Sequence, residues 1–245
     1  MHNINIIKAT WPNLEGIFAG TTLRSKGFSE GVYSRFNLAD HVDDDISCVQ
    51  ENRRLLKDTL KLPSEPCWLK QKHEANVLVE PDNNEILIGD ASITRLPGKI
   101  SVVLTADCLP ILLANKSQDI VGSIHAGWRG MVAGVIENTI SAMQSNVEDI
   151  MVWLGPAISQ SAFEVGDEVR DIFLNMHLQN EDCFKMNDNK RWQADIYELA
   201  RIKFELLGIE NVFGGSYCTY RDSDLFYSYR REIKCGRMAS MIYIK

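Results

Sequence analysis

The chain has 245 residues, of which 45% are hydrophobic and 24% charged, and its formal net charge at pH 7 is −7. These values are typical of a globular protein with a large core, and the acidic balance argues against a broad nucleic-acid-binding surface. No apolar run reaches the roughly 18–20 residues that cross a bilayer. The first 16 residues lack the features of a secretion signal, so we expect a cytoplasmic protein without a membrane partner.

Six cysteines are spread through the chain without a CxxC pair. In a chain of this length without a secretion signal, this distribution predicts reduced thiols rather than a disulfide framework. We expect most of them to be buried as small hydrophobic residues.

In the first half of the chain, glycines separate short apolar segments over residues 1–45, which predicts short strands and loops. An acidic turn at 43–45 precedes apolar residues at helical spacing, so a helix is predicted near 47–61. Short apolar runs then predict strands over 75–79, 100–105, 110–114 and 120–125.

The second half begins with apolar residues at helical spacing between 132 and 143, which predicts a helix with one buried face. A strand follows over 151–154, then helices near 166–176 and 194–207, the last ending at Gly208. Further strands are predicted over 226–229 and 241–244. One α+β domain spanning residues 1–245, with a mixed sheet and helices on its faces, is the simplest fold for this pattern.

Three residues form a candidate metal site. Cys108 in TADCLP and His125 in HAGWRG each follow or end a predicted strand, and His73 lies upstream in QKHE. Two imidazoles and one thiolate are a full ligand set for a catalytic zinc that keeps one position open. The spacing leaves two alternatives: a buried cysteine near structural histidines, or a Cys108–His125 nucleophile and base for acyl transfer or deamidation.

Neighbouring residues have candidate roles of their own. Asp107 either orients a ligand or serves as a general acid or base, or it is a turn residue that binds local backbone. Arg129, at a predicted helix start, suits an anion because its guanidinium matches phosphate geometry. Trp128 either stacks on a base or covers the core.

Several motifs follow one another in a distinctive order: QKH (71–73), GDASITRLPG (89–98), TADCLPILL (105–113), HAGWRGMVAGV (125–135), GPAI (155–158), FEVG (163–166), FYSYRR (226–231) and GRMAS (236–240). Over nearly the whole chain they resemble the laccase-domain, or multicopper-polyphenol-oxidase-like, proteins of bacteria. This family includes purine nucleoside phosphorylases and is also described as a peptidoglycan editing factor.

The resemblance implies a layered α/β/β/α sandwich with mixed sheets, similar to the cysteine deamidase toxins. It also implies that His73, Cys108 and His125 hold zinc, because they fall on the ligand motifs of the family. The activities that it implies are phosphorolysis of adenosine, inosine and methylthioadenosine, and deamination of adenosine. Copper-dependent oxidation of phenols is a further activity attributed to the family.

The chemistry of the residues favours some of these activities. Reduction of oxygen needs several coppers, for which the sequence has no clustered histidines, whereas deamination fits a zinc that acidifies water. Phosphorolysis needs cations for phosphate, and Arg53, Arg129 and Arg24 are candidates. We therefore expect a monomeric zinc enzyme for purine nucleosides. Its expected catalytic residues are Cys108, His125 and Asp107, and its expected substrate-binding residues are Arg53 and Arg129.

Two alternatives come from other classes: a hydrolase that edits mis-made UDP-muramyl-amino acid precursors, and a metal-binding interaction protein. The chain also departs from the family pattern at two positions. Lys26 replaces a glycine in LRSKGFS, and Glu74 follows the first histidine ligand in QKHE. We expect both changes to affect substrate preference more than the metal site.

Overall fold

The computed structural model describes residues 4–82 and 85–245. The helices are α1 (Ile46–Leu60), α2 (Trp128–Ala133), α3 (Val135–Met143), α4 (Asp167–Met176) and α5 (Ile196–Leu206). The strands are β1 (Ile6–Lys8), β2 (Ile17–Thr22), β3 (Val77–Val79), β4 (Ala91–Thr94), β5 (Ser101–Thr105), β6 (Leu109–Asn115), β7 (Val121–Ala126), β8 (Ile150–Leu154), β9 (Glu164–Val165), β10 (Phe184–Met186), β11 (Trp192–Ala194), β12 (Val212–Gly214) and β13 (Met238–Ile244). None of the helices in these ranges is both long and apolar enough to cross a membrane.

The strands of the described residues form two large sheets and a small one. The four-stranded sheet has the order β1-β2-β13-β5, the six-stranded sheet β12-β8-β6-β7-β4-β3, and the small sheet β10-β11-β9. Most neighbours are antiparallel, but β12 pairs with β8 and β3 with β4 in parallel, so the six-stranded sheet is mixed. The predicted α+β class is confirmed.

The layers follow from the alternation of side chains along each strand. Ile242 of β13 belongs to the same apolar cluster as Leu112 of β6, between the two large sheets. Its neighbour Met241 faces the other way and packs in a cluster with Leu56 of α1. Leu113, next to Leu112, belongs to the cluster that includes α3 and α5. The order of layers is therefore helix, sheet, sheet, helices, as the α/β/β/α prediction requires.

The predicted bounds of three amphipathic helices are accurate: α1, α4 and α5 begin and end within two residues of the prediction. The segment after residue 125 differs, because Gly134 adopts φ +93° and divides it into α2 and α3. The strand predicted over 226–229 is wrong, since this segment is irregular. The segment is rich in aromatic residues, as many strands are. Its conformation is instead held by side-chain hydrogen bonds to residues distant in the sequence.

Candidate active site

Strand ends bring the site together. In the six-stranded sheet β7 lies between β6 and β4, and Pro110 of β6 pairs with His125 of β7. Cys108, immediately before β6, therefore lies beside the end of β7. Asp90, immediately before β4, lies at the same edge, and its carbonyl oxygen accepts a hydrogen bond from the His125 backbone N–H at 2.7 Å.

The predicted metal ligands meet at this edge. The side-chain ligand atoms of His73, Cys108 and His125 all lie within 4.8 Å of one another, and Cys108 Sγ is 3.8 Å from His73 Nε2. Ligand atoms on a tetrahedral zinc are about 3.3–3.6 Å apart, as its bond lengths require. Thiolate and imidazole suit zinc, so the donor set fits this metal. His125 is buried and His73 exposed, which leaves the site open on one side.

Cys108 and His125 perturb each other's ionisation. Burial opposes the charged form of Cys108, but the charge of His125 and hydrogen bonds to both histidines outweigh it, so the pKa of this thiol falls to about 6. Burial also disfavours charged His125, but the Cys108 thiolate and Asp90 outweigh it and raise the imidazole pKa to about 9. Without metal, both shifts favour a thiolate beside an imidazolium at neutral pH. A cysteine nucleophile with its base has the same charges.

Asp90, in the motif GDASITRLPG, belongs to this candidate site although the sequence predicted no role for it. Its carboxylate is completely buried. It accepts a hydrogen bond from His125 Nδ1 at 2.7 Å and from the backbone N–H groups of Lys72, His73 and Glu74 at 2.9–3.0 Å. The sequence feature that could have indicated this residue is its position, since it is an acidic residue immediately before the buried strand β4.

A cavity of about 560 Å³ opens beside the ligands. Three arginines line it, Arg129, Arg230 and Arg237. The other lining residues are His41, Gln71, His73, Leu104, Thr105, Ala106, Asp107, Cys108, His125, Trp128, Ile158, Phe163, Ile196 and Tyr229. Aromatic and aliphatic walls with a few convergent charged groups are typical of small-molecule sites.

The sequence from residue 18 to residue 245 matches the family model described as multi-copper polyphenol oxidoreductase laccase. The chain belongs to this family. It is 44% identical over 236 residues, 96% of each chain, to a protein of Pseudomonas aeruginosa named purine nucleoside phosphorylase. Over 242 residues, 98% of each chain, it is 43% identical to the purine nucleoside phosphorylase YfiH of Escherichia coli. A Neisseria meningitidis protein of known structure superposes with a TM-score of 0.94 at 37% identity, covering 98% of this chain and 99% of that one.

In this laccase-family chain, Asp107 is bound to the C-terminal part of the sequence. It has φ +93°, and its carboxylate accepts hydrogen bonds from Thr219 Oγ1 at 2.6 Å, Ser228 Oγ at 3.0 Å and the Arg230 backbone N–H at 2.6 Å. Asp107 lines the cavity, and its carboxylate is bonded to the C-terminal segment, whereas Nδ1 of His125 is bonded to Asp90.

The predicted cationic residues of this family member lie in different places. Arg129 lines the cavity, with its guanidinium 4.4 Å from the Trp128 ring centroid. Arg53 is not among the described lining residues. Its Nε donates to the Leu38 carbonyl oxygen at 3.0 Å, its Nη2 lies 3.4 Å from Asp40, and its guanidinium stacks on Trp68.

Arg24 likewise stacks on an aromatic ring, that of Tyr227, and its Nε donates to the Ser34 carbonyl oxygen at 2.6 Å. It too is outside the set of described residues that line the cavity.

Arg230 and Arg237 are the cavity cations that the sequence analysis missed. Arg230 Nη1 donates to the Glu164 carbonyl oxygen at 2.9 Å, and its guanidinium lies over Phe163. Arg237 Nη1 donates to the Cys235 carbonyl oxygen at 2.7 Å, and its guanidinium lies 5.9 Å from the Tyr229 ring centroid. Both belong to the quoted motifs FYSYRR and GRMAS, which were the available signal.

The two departures from the family pattern are both exposed. Glu74 Oε2 accepts a hydrogen bond from Asn76 Nδ2 at 3.1 Å, and the Glu74 backbone N–H binds Asp90. Lys26 is an exposed loop residue beside Gly27, where an added Cβ would collide with the Arg35 carbonyl oxygen.

Proposed function

We propose that this protein is a purine nucleoside phosphorylase that uses a zinc ion held by His73, Cys108 and His125. One observation carries the proposal: the three ligand atoms lie within 4.8 Å of one another at the wall of a cavity that also holds three arginines. The names of the two curated relatives, each more than 40% identical over nearly the whole chain, support it.

Zinc is the metal that we propose for the ligand set. A zinc ion at this position would supply a Lewis acid next to the bound substrate. Two imidazoles and a thiolate also accept copper. Within the described residues, however, His73, Cys108 and His125 are the one group of this kind. Reduction of oxygen by a laccase needs several coppers, so we propose that phenol oxidation is a side activity.

The cavity has room and walls for a nucleoside. Its volume of about 560 Å³ lies within the range of small-molecule sites, about 300–1,000 Å³. Trp128, Phe163 and Tyr229 give the wall aromatic rings against which a purine can pack, beside the arginines that lie over these rings. We propose that adenosine, inosine and methylthioadenosine bind between these rings.

The arginines explain how a second, anionic substrate would bind. In phosphorolysis a phosphate oxygen forms a bond to C1′ of the ribose, the C1′–N9 bond breaks, and the purine leaves with the electron pair and takes up a proton. Arg129, Arg230 and Arg237 line the cavity and present planar cations that match phosphate geometry. We place the phosphate among them, and we assign Asp107 the role of holding Arg230 through its backbone N–H.

Deamination of adenosine is a second activity that we propose for the same site. In this reaction water adds its oxygen to C6 and ammonia leaves, so no phosphate is consumed. The two activities are therefore separable by leaving phosphate out. We further propose that the enzyme works as a cytoplasmic monomer, which light scattering after gel filtration tests for the oligomeric state.

The experiment uses purified protein of measured zinc content with adenosine, in the presence and absence of phosphate. We expect adenine and ribose 1-phosphate only with phosphate, and inosine without it. Cys108→Ala and His125→Ala should abolish both activities, phosphorolysis and deamination. Cys48→Ala, which removes a thiol on α1, should retain both activities. Absence of all three products from the zinc-loaded protein would overturn the proposal. UDP-muramyl-amino acids, whose diphosphate also suits the arginines, would be assayed next.

A further inference from the structure

We propose that Asp90 is the positioning residue that holds both histidine ligands, so that one buried carboxylate determines the affinity of the site for metal. The inference rests on the proposed metal site but not on the reaction. Asp90 touches neither the cavity nor, on our proposal, the substrate, and it acts through His73 and His125.

On one side, Asp90 selects the tautomer of His125. An ionised carboxylate only accepts hydrogen bonds, so the 2.7 Å contact requires that His125 Nδ1 carries a proton. The lone pair of the neutral ring is then on Nε2, the atom left to ligate beside Cys108. Both side chains are at least 96% buried, so no water competes for this hydrogen bond. A histidine ligand held in this way is oriented and made more basic.

On the other side, Asp90 shapes the loop that carries His73. The backbone N–H groups of Lys72, His73 and Glu74 all point at its carboxylate. His73 has φ +61°, a left-handed conformation that is unfavourable for a residue with a Cβ. Three hydrogen bonds to a charged acceptor offset this cost. They hold the His73 ring with its Nε2 3.8 Å from Cys108 Sγ.

The two sides share the same two oxygen atoms. Oδ1 accepts from His73 N and His125 Nδ1, and Oδ2 accepts from Lys72 N and Glu74 N. An asparagine at position 90 has one oxygen and one NH₂ group, so it can serve only one of these pairs and opposes donors to the other. Replacing Asp90 by Asn therefore disturbs at least one histidine ligand while preserving the volume of the side chain.

The test compares zinc affinity of the wild-type chain with that of Asp90→Asn, measured by competition with a chelator. We expect the affinity to fall about 10- to 100-fold, the usual effect of losing a residue that orients a metal ligand. The visible spectrum of the Co²⁺-loaded variant should also change, because ligand geometry sets these bands. The control is Asp195→Asn, since Asp195 accepts backbone N–H groups at the start of α5 and asparagine caps helices equally well.

The outcomes separate this inference from the proposed function. A wild-type chain that binds no zinc overturns the metal site itself. Wild-type affinity and an unchanged Co²⁺ spectrum in folded Asp90→Asn overturn the role of Asp90 alone. If the variant does not fold, the zinc-loaded wild type is studied by ¹H–¹⁵N NMR. We then expect a proton on His125 Nδ1 and slow exchange of the His73 and Glu74 amides, and an unprotonated Nδ1 would contradict the inference.

Discussion

The carboxylate of Asp107 accepts a hydrogen bond from the backbone N–H of Arg230 at 2.6 Å, although the two residues are 123 positions apart. The same carboxylate binds the hydroxyls of Thr219 and Ser228. A residue next to the proposed metal ligand Cys108 thus holds the segment that carries a cavity arginine. The position of this segment at the cavity therefore depends on the Asp107 side chain.

Replacement of Asp107 by Ala should loosen that segment. It leaves Arg230 N–H and two hydroxyls without their acceptor, which we expect to lower the free energy of unfolding by about 1–3 kcal/mol. The Michaelis constant for phosphate should rise while zinc content stays at the wild-type level, because the Asp107 carboxylate is bonded to Thr219, Ser228 and Arg230. Urea unfolding, phosphate-dependent rates and metal analysis check these expectations. Loss of zinc with unchanged phosphate dependence would contradict them.

Removal of the Arg230 guanidinium should weaken phosphate binding. Hydrogen bonds to charged groups contribute about 1.5–3 kcal/mol, so Arg230→Ala is expected to raise the Michaelis constant for phosphate about 10-fold or more. The affinity for the nucleoside should change less. The matched control is Arg170→Ala, because Arg170 also stacks on an aromatic ring, that of Trp192, outside the cavity. An equal rise of the Michaelis constant for phosphate in both variants would show that the effect does not depend on a guanidinium in the cavity, which would contradict the prediction.

In the metal-free protein, Cys108 should react with iodoacetamide near neutral pH. Its pKa is lowered to about 6, so the reactive thiolate is populated above this pH and lost as the pH falls through it. Cys183 is buried and its pKa is raised to about 12, so it should stay unmodified in the same range. Mass spectrometry of labelled peptides between pH 5 and pH 9 measures both. A midpoint near the ordinary thiol value of 9.0 at Cys108 would refute this prediction.

Zinc should protect Cys108 from the same reagent, since a thiolate that donates electron density to zinc is less nucleophilic than a free thiolate. Labelling at pH 7 with and without bound zinc gives the comparison. Equal labelling would show that Cys108 is not a ligand and would favour the alternative of a cysteine nucleophile with His125 as its base.

Replacement of Gly127 by Ala should displace the side chains of Cys108 and His73, two of the proposed ligands. A Cβ added to Gly127 would lie 3.0 Å from Cys108 Sγ and 3.1 Å from His73 Cδ2. The backbone at Gly127 has φ −69°, which alanine adopts without strain, so the effect comes from these contacts. We expect weaker zinc binding by Gly127→Ala with little change in the melting temperature of the metal-free protein. Isothermal titration with zinc and thermal unfolding give the two values, and unchanged affinity would be the contrary result.

Several helices and strands could be predicted because the pattern of apolar residues that specifies them lies within the segment itself. The apolar residues of α1, α4 and α5 repeat at helical spacing, and their bounds came within two residues. The segment 226–229 shows where this approach ends. Its buried Phe226 and Tyr227 have the composition of a strand, but Ser228 and Tyr227 are bonded through their side chains to Asp107 and Tyr33. Contacts over more than 100 residues decided its conformation.

By itself, the sequence determined the chemical identity of the candidate ligands His73, Cys108 and His125, because thiolate and imidazole have few equivalents and lie in recognisable motifs. Only the tertiary structure decided which residues hydrogen-bond to these ligands and which charged side chains line the cavity beside them. Asp90 serves both histidines, and Arg230 lines the cavity while Arg53 stacks on Trp68 instead. The physical reason is that a charged side chain has many partners within its reach, and the packing of distant segments selects among them.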